Sequence, residues 1–486
     1  MSGLEDIRSA RLSKLAKLRE AGIDPYPARS EGYFDLGRVK SEFNSLKKKK
    51  NLTLKGRIVA LREHGGSLFC DLFDGEEKFQ VYLKEDLLGS DYARFLESAD
   101  IGDFFEFKGK LFLTKKKEKT LLVSHFEILA KSLRPLPEKW HGLRDIEERY
   151  RRRYLDLLSN PEVREIFIRR SRIISETRRF LDKSGFQEVE TPLLHPLAGG
   201  AAAKPFKTRH NALDSDFYLR IAPELYLKRL LVGGLEKIYE LGRNFRNEGI
   251  DYTHNPEFTM LELYEAFSDA ENHRSFIEKL LKHLVKIVNK SPVVKYQGSE
   301  INFGKKFISM TFEDALGRFA LINNYRKMSD EELGLKAKQF GIEIEGGETK
   351  AKIADKIFKK ICRPKIIQPT FVLYYPLEIL PLAKESGEYP GMADMYQLIA
   401  GGLELIKGFS ELNNPSEQRR RFEAQEEMRK TGDQEASRMD EEYLEAMEYG
   451  MPPAAGLGMG IDRLVMLLTN TANIREVILF PTLRPE

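Results

Sequence analysis

Two cysteines, Cys70 and Cys362, serve the whole 486-residue chain, and they form no CxxC pair. That scarcity argues against a disulfide framework and a cysteine-ligated zinc site, and predicts a reducing compartment. Apolar runs long enough to span a bilayer are also missing. The opening stretch "MSGLEDIRSARLSKLAKLREAG" is too charged for a secretory signal, so a cytoplasmic protein is expected. Charge of one sign is lacking as well: 79 Lys plus Arg against 75 Asp plus Glu leave a formal charge of +4. Any basic surface for nucleic acid must therefore be local. The phosphate-binding GxxxxGK[ST] loop is absent. Its nearest approach, "GSEINFGKK", has five residues between the glycines and a lysine where Ser or Thr belongs. If this chain handles a nucleotide, it needs another tool.

An ordinary soluble composition remains, 41% hydrophobic and 32% charged, enough for two or three domains with large cores. Leu4, Ile7, Leu12, Leu15 and Leu18 recur at helical spacing until Gly22, Pro25 and Pro27 end the pattern. That predicts a helix within residues 1–30, packed on the next domain. From residue 52 the period becomes two. "LTLKGRIVAL", "SLFCDLF" and "KFQVYL" read as strands, "EDLLGSDYARFLES" as helix, "DFFEFKGKLFLT" and "TLLVSHFEIL" as strands. Three strands, a helix and two strands match an OB barrel, expected over residues 31–131. Phe69, Phe79 and Tyr82 are candidates for a nucleic-acid face, with Arg57 and Arg62 as its basic groups, or else the aromatics are core. The lysine runs 47–50 and 115–117 read as solvated turns.

A proline-containing linker over 132–147 leads to a domain expected to fill 148–486. Its opening helix carries Asn160 as N-cap, Pro161 at the first helical position and Gly185 as terminator. Beyond it, "FYLRI", "KIYELGR", "EFTMLELYEAF", "FVLYY" and "MYQLIAGGLELI" alternate as strands of one large sheet, separated by helices of irregular length. That arrangement fits an α+β domain better than a βαβ repeat. Within it, "GRNFRNEGIDYTHNPEF" reads as a hairpin loop crowded with two guanidiniums, carboxylates, an imidazole and an aromatic ring. "GLGMGIDRLVML" opens a helix, with Arg463 just inside where its planar fork can reach an anion.

"GFQEVETPLL", "FRNEGIDYTHNPEF" and "GLGMGIDRL", in that order, resemble the three motifs of the class II aminoacyl-tRNA synthetases. "RPLPEKWHGL", "ERYRRRYLDLL", "RIAPELYLKRLLVGG" and "GFSELN" are similar to the bacterial lysyl-tRNA synthetases, and the likeness covers nearly the whole chain. The resemblance implies an antiparallel-sheet catalytic domain behind an OB-fold anticodon-binding domain, and a homodimer joined through the first motif and its helix. It implies ATP, L-lysine and tRNA(Lys) as substrates and Mg2+ as cofactor. Arg246 would meet the substrate carboxylate and α-phosphate. Glu248, His254 and Asn255 would hold adenine and the outer phosphates, with Phe258 and Arg463 on the two faces of the adenine. Glu411 and Tyr264 would take the ε-ammonium, Gly200 and Glu224 the α-amino end, and Glu262 and Phe409 would line the pocket. Arg62, Phe69 and Gln80 are the barrel residues expected at tRNA.

Glu404 and Glu411 are the expected magnesium ligands, joined by position 397. Two residues depart from the family pattern: Gln397 replaces a metal-binding glutamate, and Lys407 an asparagine. Other readings are a ligase of the same fold charging aspartate or asparagine, one lysylating a protein, or a non-catalytic tRNA-binding paralogue.

Overall fold

The computed structural model describes residues 2–30, 32–137, 143–344, 348–430 and 438–485. The expected linker falls partly on 138–142, outside the described residues. The chain forms two compact units, Met1–Asn160 and Pro161–Glu486.

In the first unit, β1 (Leu52–Glu63), β2 (Ser67–Phe73), β3 (Lys78–Lys84), β4 (Phe104–Leu113) and β5 (Lys119–Ala130) close a barrel in the order β1-β2-β3-β5-β4. Alternation builds it: Leu68, Cys70 and Leu72, or Phe79, Val81 and Leu83, point inward, and the residues between them stay half-buried. Phe79 is thus core, and its place on an outer face is corrected. Arg57 is corrected too: it stacks 4.3 Å from the Phe104 ring and donates to the Gly102 carbonyl, a structural post. The N-terminal helix Ser2–Glu20 buries Leu15 and Leu18 but leaves Leu4 and Ile7 exposed. A charged residue does part of the anchoring. Buried Arg11 donates to the carbonyls of Ile101, Ser132 and Arg134.

The second unit opens with the helix Pro161–Lys183, ended by Gly185 at φ +83°. Its strands are β6 (Gln187–Glu188), β7 (Leu194–His195), β8 (Lys207–His210), β9 (Ser215–Leu219), β10 (Lys237–Phe245), β11 (Glu257–Ala266), β12 (Val293–Tyr296), β13 (Ser299–Asn302), β14 (Ile308–Thr311), β15 (Thr370–Leu373), β16 (Met395–Ala400), β17 (Leu403–Ser410) and β18 (Ala454–Gly460). Eight form one sheet in the order β14-β15-β16-β17-β18-β11-β10-β6, antiparallel except at the β14–β15 and β10–β6 pairs. The segment "FYLRI" is not in that sheet. It supplies β9, the centre of a separate three-stranded sheet β7-β9-β8. "MYQLIAGGLELI" is two strands, not one: Gly401 and Gly402, at φ +59° and +76°, turn the chain between β16 and β17. The helices Ala270–Asn289 and Ile461–Thr469 bury their apolar sides in the core that covers the sheet's other face.

Candidate active site

Strand periodicity collects the site. Along β11, Phe258, Met260, Glu262 and Tyr264 alternate onto one face. Directly across from Met260, Glu262 and Tyr264 lie Gly460, Gly458 and Gly456 of β18. Beyond the glycines, Lys407 of β17 pairs with Gly458 and Phe409 with Gly456, and Gln397 of β16 faces Lys407. The glycines make the floor. A Cβ on Gly456 would collide with the Tyr264 ring and Glu411 Oε1, and one on Gly458 with the Met260 methyl. Side chains from both flanking strands therefore lean over a strip that has none.

The β10–β11 hairpin encloses the polar loop 246–256, closed where the Arg246 amide donates to the Pro256 carbonyl at 2.8 Å. Arg246 lies with its guanidinium 5.1 Å from the Phe258 ring centre, and its Nε has no hydrogen-bond partner. Burial lowers its pKa, opposed by Glu248 and Glu262. His254 Nδ1 meets Asp251 at 2.8 Å, and its Nε2 meets Arg463 Nη2 at 2.8 Å. Arg463 also donates to the Glu404 carbonyl at 3.3 Å, so one guanidinium ties the loop to β17. Asn255 is buried, donates to the Glu257 carbonyl, and leaves its Oδ1 unpartnered. Glu248 is exposed at the loop's rim. Arg243 lies outside this group and pairs with Glu257 at 3.6 Å. Thus Arg246, His254, Arg463 and Glu404 come together beside the unpartnered Nε of Arg246, a place suited to a polyanion.

At the other end of the strip, Glu411 follows β17 and Glu224 opens the helix Glu224–Val232. Gly200, at φ +85°, lies against Glu224: its Cβ would sit 3.0 Å from the Glu224 Cβ. The Tyr264 hydroxyl donates to Glu262 at 3.2 Å. Burial pushes the Glu262 carboxyl up to about 8, with Glu224 adding to the rise. Glu411 is only 1% exposed; its Oε2 forms an ion pair with Lys228 Nζ at 2.5 Å, and neither carboxylate oxygen has a hydrogen-bond partner. Lys228 was missed in the sequence, although a Glu–Lys pair four residues apart in "PELYLKR" was there to find. Asp462 was missed too. It accepts from the Thr259 amide and from Arg170, fixing the start of the Arg463 helix against β11.

Neither Gln397 nor Glu411 fits the magnesium role expected of it. The Gln397 oxygen already accepts from the Tyr375 hydroxyl at 2.7 Å, and the cation beside Glu411 is Lys228. Among the described residues, no three or more His, Cys, Asp or Glu gather as a metal cage. Glu404 remains. Burial works to raise its pKa, but Arg463, Arg363, Lys407 and Lys359 together hold it below its ordinary value.

In the barrel, Arg62, Phe69, Gln80 and Tyr82 share an outward face. Phe69 stacks on Tyr82 at 4.5 Å, Arg62 pairs with Asp71, and Gln80 accepts from Thr120.

A family profile described as tRNA synthetases class II (D, K and N) matches residues 145–484, and one described as an OB-fold nucleic acid binding domain matches 52–129. The chain belongs to the class II tRNA synthetases. This class II chain is 48% identical over 481 residues to the lysine–tRNA ligase of Moorella thermoacetica, covering 99% of this chain and 98% of the relative. It is 49% identical over 482 residues to that of Carboxydothermus hydrogenoformans, covering 99% of each. With that of Bacillus cereus the identity is 45% over 487 residues, covering 99% and 98%. The antiparallel centre of the synthetase sheet and the barrel ahead of it are the architecture expected above.

Proposed function

We infer that this chain is an ATP-dependent ligase that activates L-lysine as lysyl-adenylate and passes the lysyl group to the 3′ end of tRNA(Lys). One observation carries the lysine assignment: the buried, unpartnered Oε1 of Glu411, beside Tyr264 and over the bare backbone of Gly456. A buried carboxylate oxygen without a donor is costly, and a substrate ammonium supplies the donor. Glu224 and Gly200 would meet the α-amino end, with Glu262 and Phe409 as walls.

In the first half-reaction a lysine carboxylate oxygen bonds to the α-phosphorus of ATP, and the bond to the bridging oxygen breaks, releasing pyrophosphate. Arg246 would lie between the two reacting anions and offset their repulsion, aligned by its contact with Phe258. His254, Asn255 and Glu248 would hold adenine and the outer phosphates, with the base between Phe258 and Arg463. Magnesium would enter with ATP and meet Glu404, neutralising phosphate charge when bound. The terminal tRNA hydroxyl then attacks the lysyl carbonyl and AMP leaves.

Phe69, Arg62 and Gln80 would contact tRNA from the barrel. A homodimer is supported by the exposure of Ile168, Leu193 and Leu194 on the opening helix and the segment after β6. No helix among the described residues is long and apolar enough to cross a membrane, and a cytoplasmic location accords with the sparing cysteine use.

The deciding assay is ATP–pyrophosphate exchange with each standard amino acid in turn. Lysine should drive exchange; exchange with aspartate or asparagine in its place would refute the assignment. Glu411→Gln should reduce lysine use by on the order of 100-fold, with the KM for ATP little changed, because a charge-assisted hydrogen bond is lost.

A further inference from the structure

Lys228 is a pocket group with no part in the reading above. It is fully buried on the helix Glu224–Val232, one turn beyond Glu224. Its ammonium lies 2.6 Å from Glu224 Oε1 and 2.5 Å from Glu411 Oε2, and 5.3 Å from the Phe409 ring centre. It therefore joins two carboxylates that reach the pocket from different elements. Buried ion pairs seldom stabilise a fold better than apolar residues of the same volume, so stability alone is a poor reason to keep an ammonium here. Its effect on the pocket is specific. Its ammonium is ion-paired against Oε2 of Glu411, neither of whose oxygens has a hydrogen-bond partner, so Oε1 is the oxygen left facing Tyr264 and Gly456.

We propose that Lys228 is a specificity-determining positioning residue: by occupying Glu411 Oε2 it leaves a single acceptor oxygen, which suits an ammonium and denies arginine its two-point contact. The proposal rests on the reading of Glu411 as the side-chain acceptor. An ammonium is a compact point charge that one oxygen can meet. A guanidinium binds a carboxylate best through two parallel N–H···O bonds, which needs both oxygens free. Lys228 also adds a fixed positive charge against which a bulkier cation must be desolvated. Arginine is thus disfavoured by geometry and by charge, with no steric gate required.

The test compares lysine and arginine as substrates for ATP–pyrophosphate exchange in the full-length chain and in Lys228→Met, which keeps the chain's length but not its charge. The ratio of the two kcat/KM values is independent of the fraction that folds, because both amino acids report on the same molecules. The ratio should fall at least about tenfold in favour of arginine. Lys228→Gln, which can still donate to one carboxylate oxygen, should retain more discrimination than Lys228→Met. An unchanged ratio in both variants overturns the proposal. Glu411→Gln, run alongside, separates the two readings. If it leaves lysine use intact, the acceptor assignment itself fails; if it abolishes lysine use while the Lys228 variants keep the ratio, only the role of Lys228 fails.

Discussion

A methyl group at position 456 would have nowhere to go. Tyr264 and Glu411 crowd the space over Gly456, and both are almost wholly buried, so neither can swing away. Gly456→Ala should therefore cost lysine activation at least about tenfold, in line with overpacking penalties of ~1–3 kcal/mol. The loss should appear in the KM for lysine, and a KM for ATP raised by the same factor would show that the whole sheet had shifted. Sequence reading reached this glycine only as part of a stretch that opens the Arg463 helix. The loop residues were more legible. Arg246, His254 and Asn255 lie within a dozen positions of one another, between two alternating strands, so a hairpin brings them together whatever the rest of the fold does. Asp462 was not legible as a site residue, and Lys228 only through its local pairing with Glu224. Their distant partners, Glu411 for Lys228 and Arg170 for Asp462, lie 183 and 292 residues away, and nothing local marks such a pairing.

The β16–β17 hairpin shows how an element can change an argument and keep its result. Read as one strand, Gln397 and Lys407 share a face because ten positions is an even number. They share it instead because they are direct partners across an antiparallel pair, joined through the glycine turn. The Gly-Gly signal for that turn was present in the sequence; strand-like flanks on both sides hid it. The consequence is a cation opposite a neutral amide. Among the described residues, no hydrogen bond or ion pair reaches the half-buried Lys407 ammonium, and the Gln397 oxygen is engaged by Tyr375. Lys407→Asn should raise the magnesium concentration needed for half-maximal exchange roughly tenfold, as expected when one charge-assisted contact to a phosphate is lost. Gln397→Glu added to that variant should restore the requirement, since a carboxylate would then recruit the metal. If Lys407→Asn leaves the magnesium titration unmoved, its ammonium has no part in handling the triphosphate.

Each of the two units encloses its own apolar core. One core gathers residues between Leu18 and Ile128; the others begin at Ile173 and beyond. The barrel order was readable from the succession of strands and helix, because three strands, a helix and two strands match the five-stranded Greek-key barrel of an OB fold. The catalytic sheet was less so: alternation reveals that a segment is a strand but not which partner it takes, and "FYLRI" went to the small sheet for that reason. Separate cores predict separable activities. Deleting residues 1–145 removes the barrel and its outward Phe69–Tyr82 stack but none of the residues around Arg246 or Glu411. Lysine-dependent pyrophosphate exchange should survive within about threefold, whereas tRNA charging should fall by on the order of 100-fold or more. The second figure follows from the ~1–3 kcal/mol that each stacked base contributes in single-strand recognition, lost here for two or three bases at once. Phe69→Ala in the intact chain should reproduce part of that defect as a higher KM for tRNA, with exchange untouched. Were the deletion to reduce exchange and charging equally, the barrel would be a structural support for the catalytic unit, and the aromatic face would lose its assignment to tRNA.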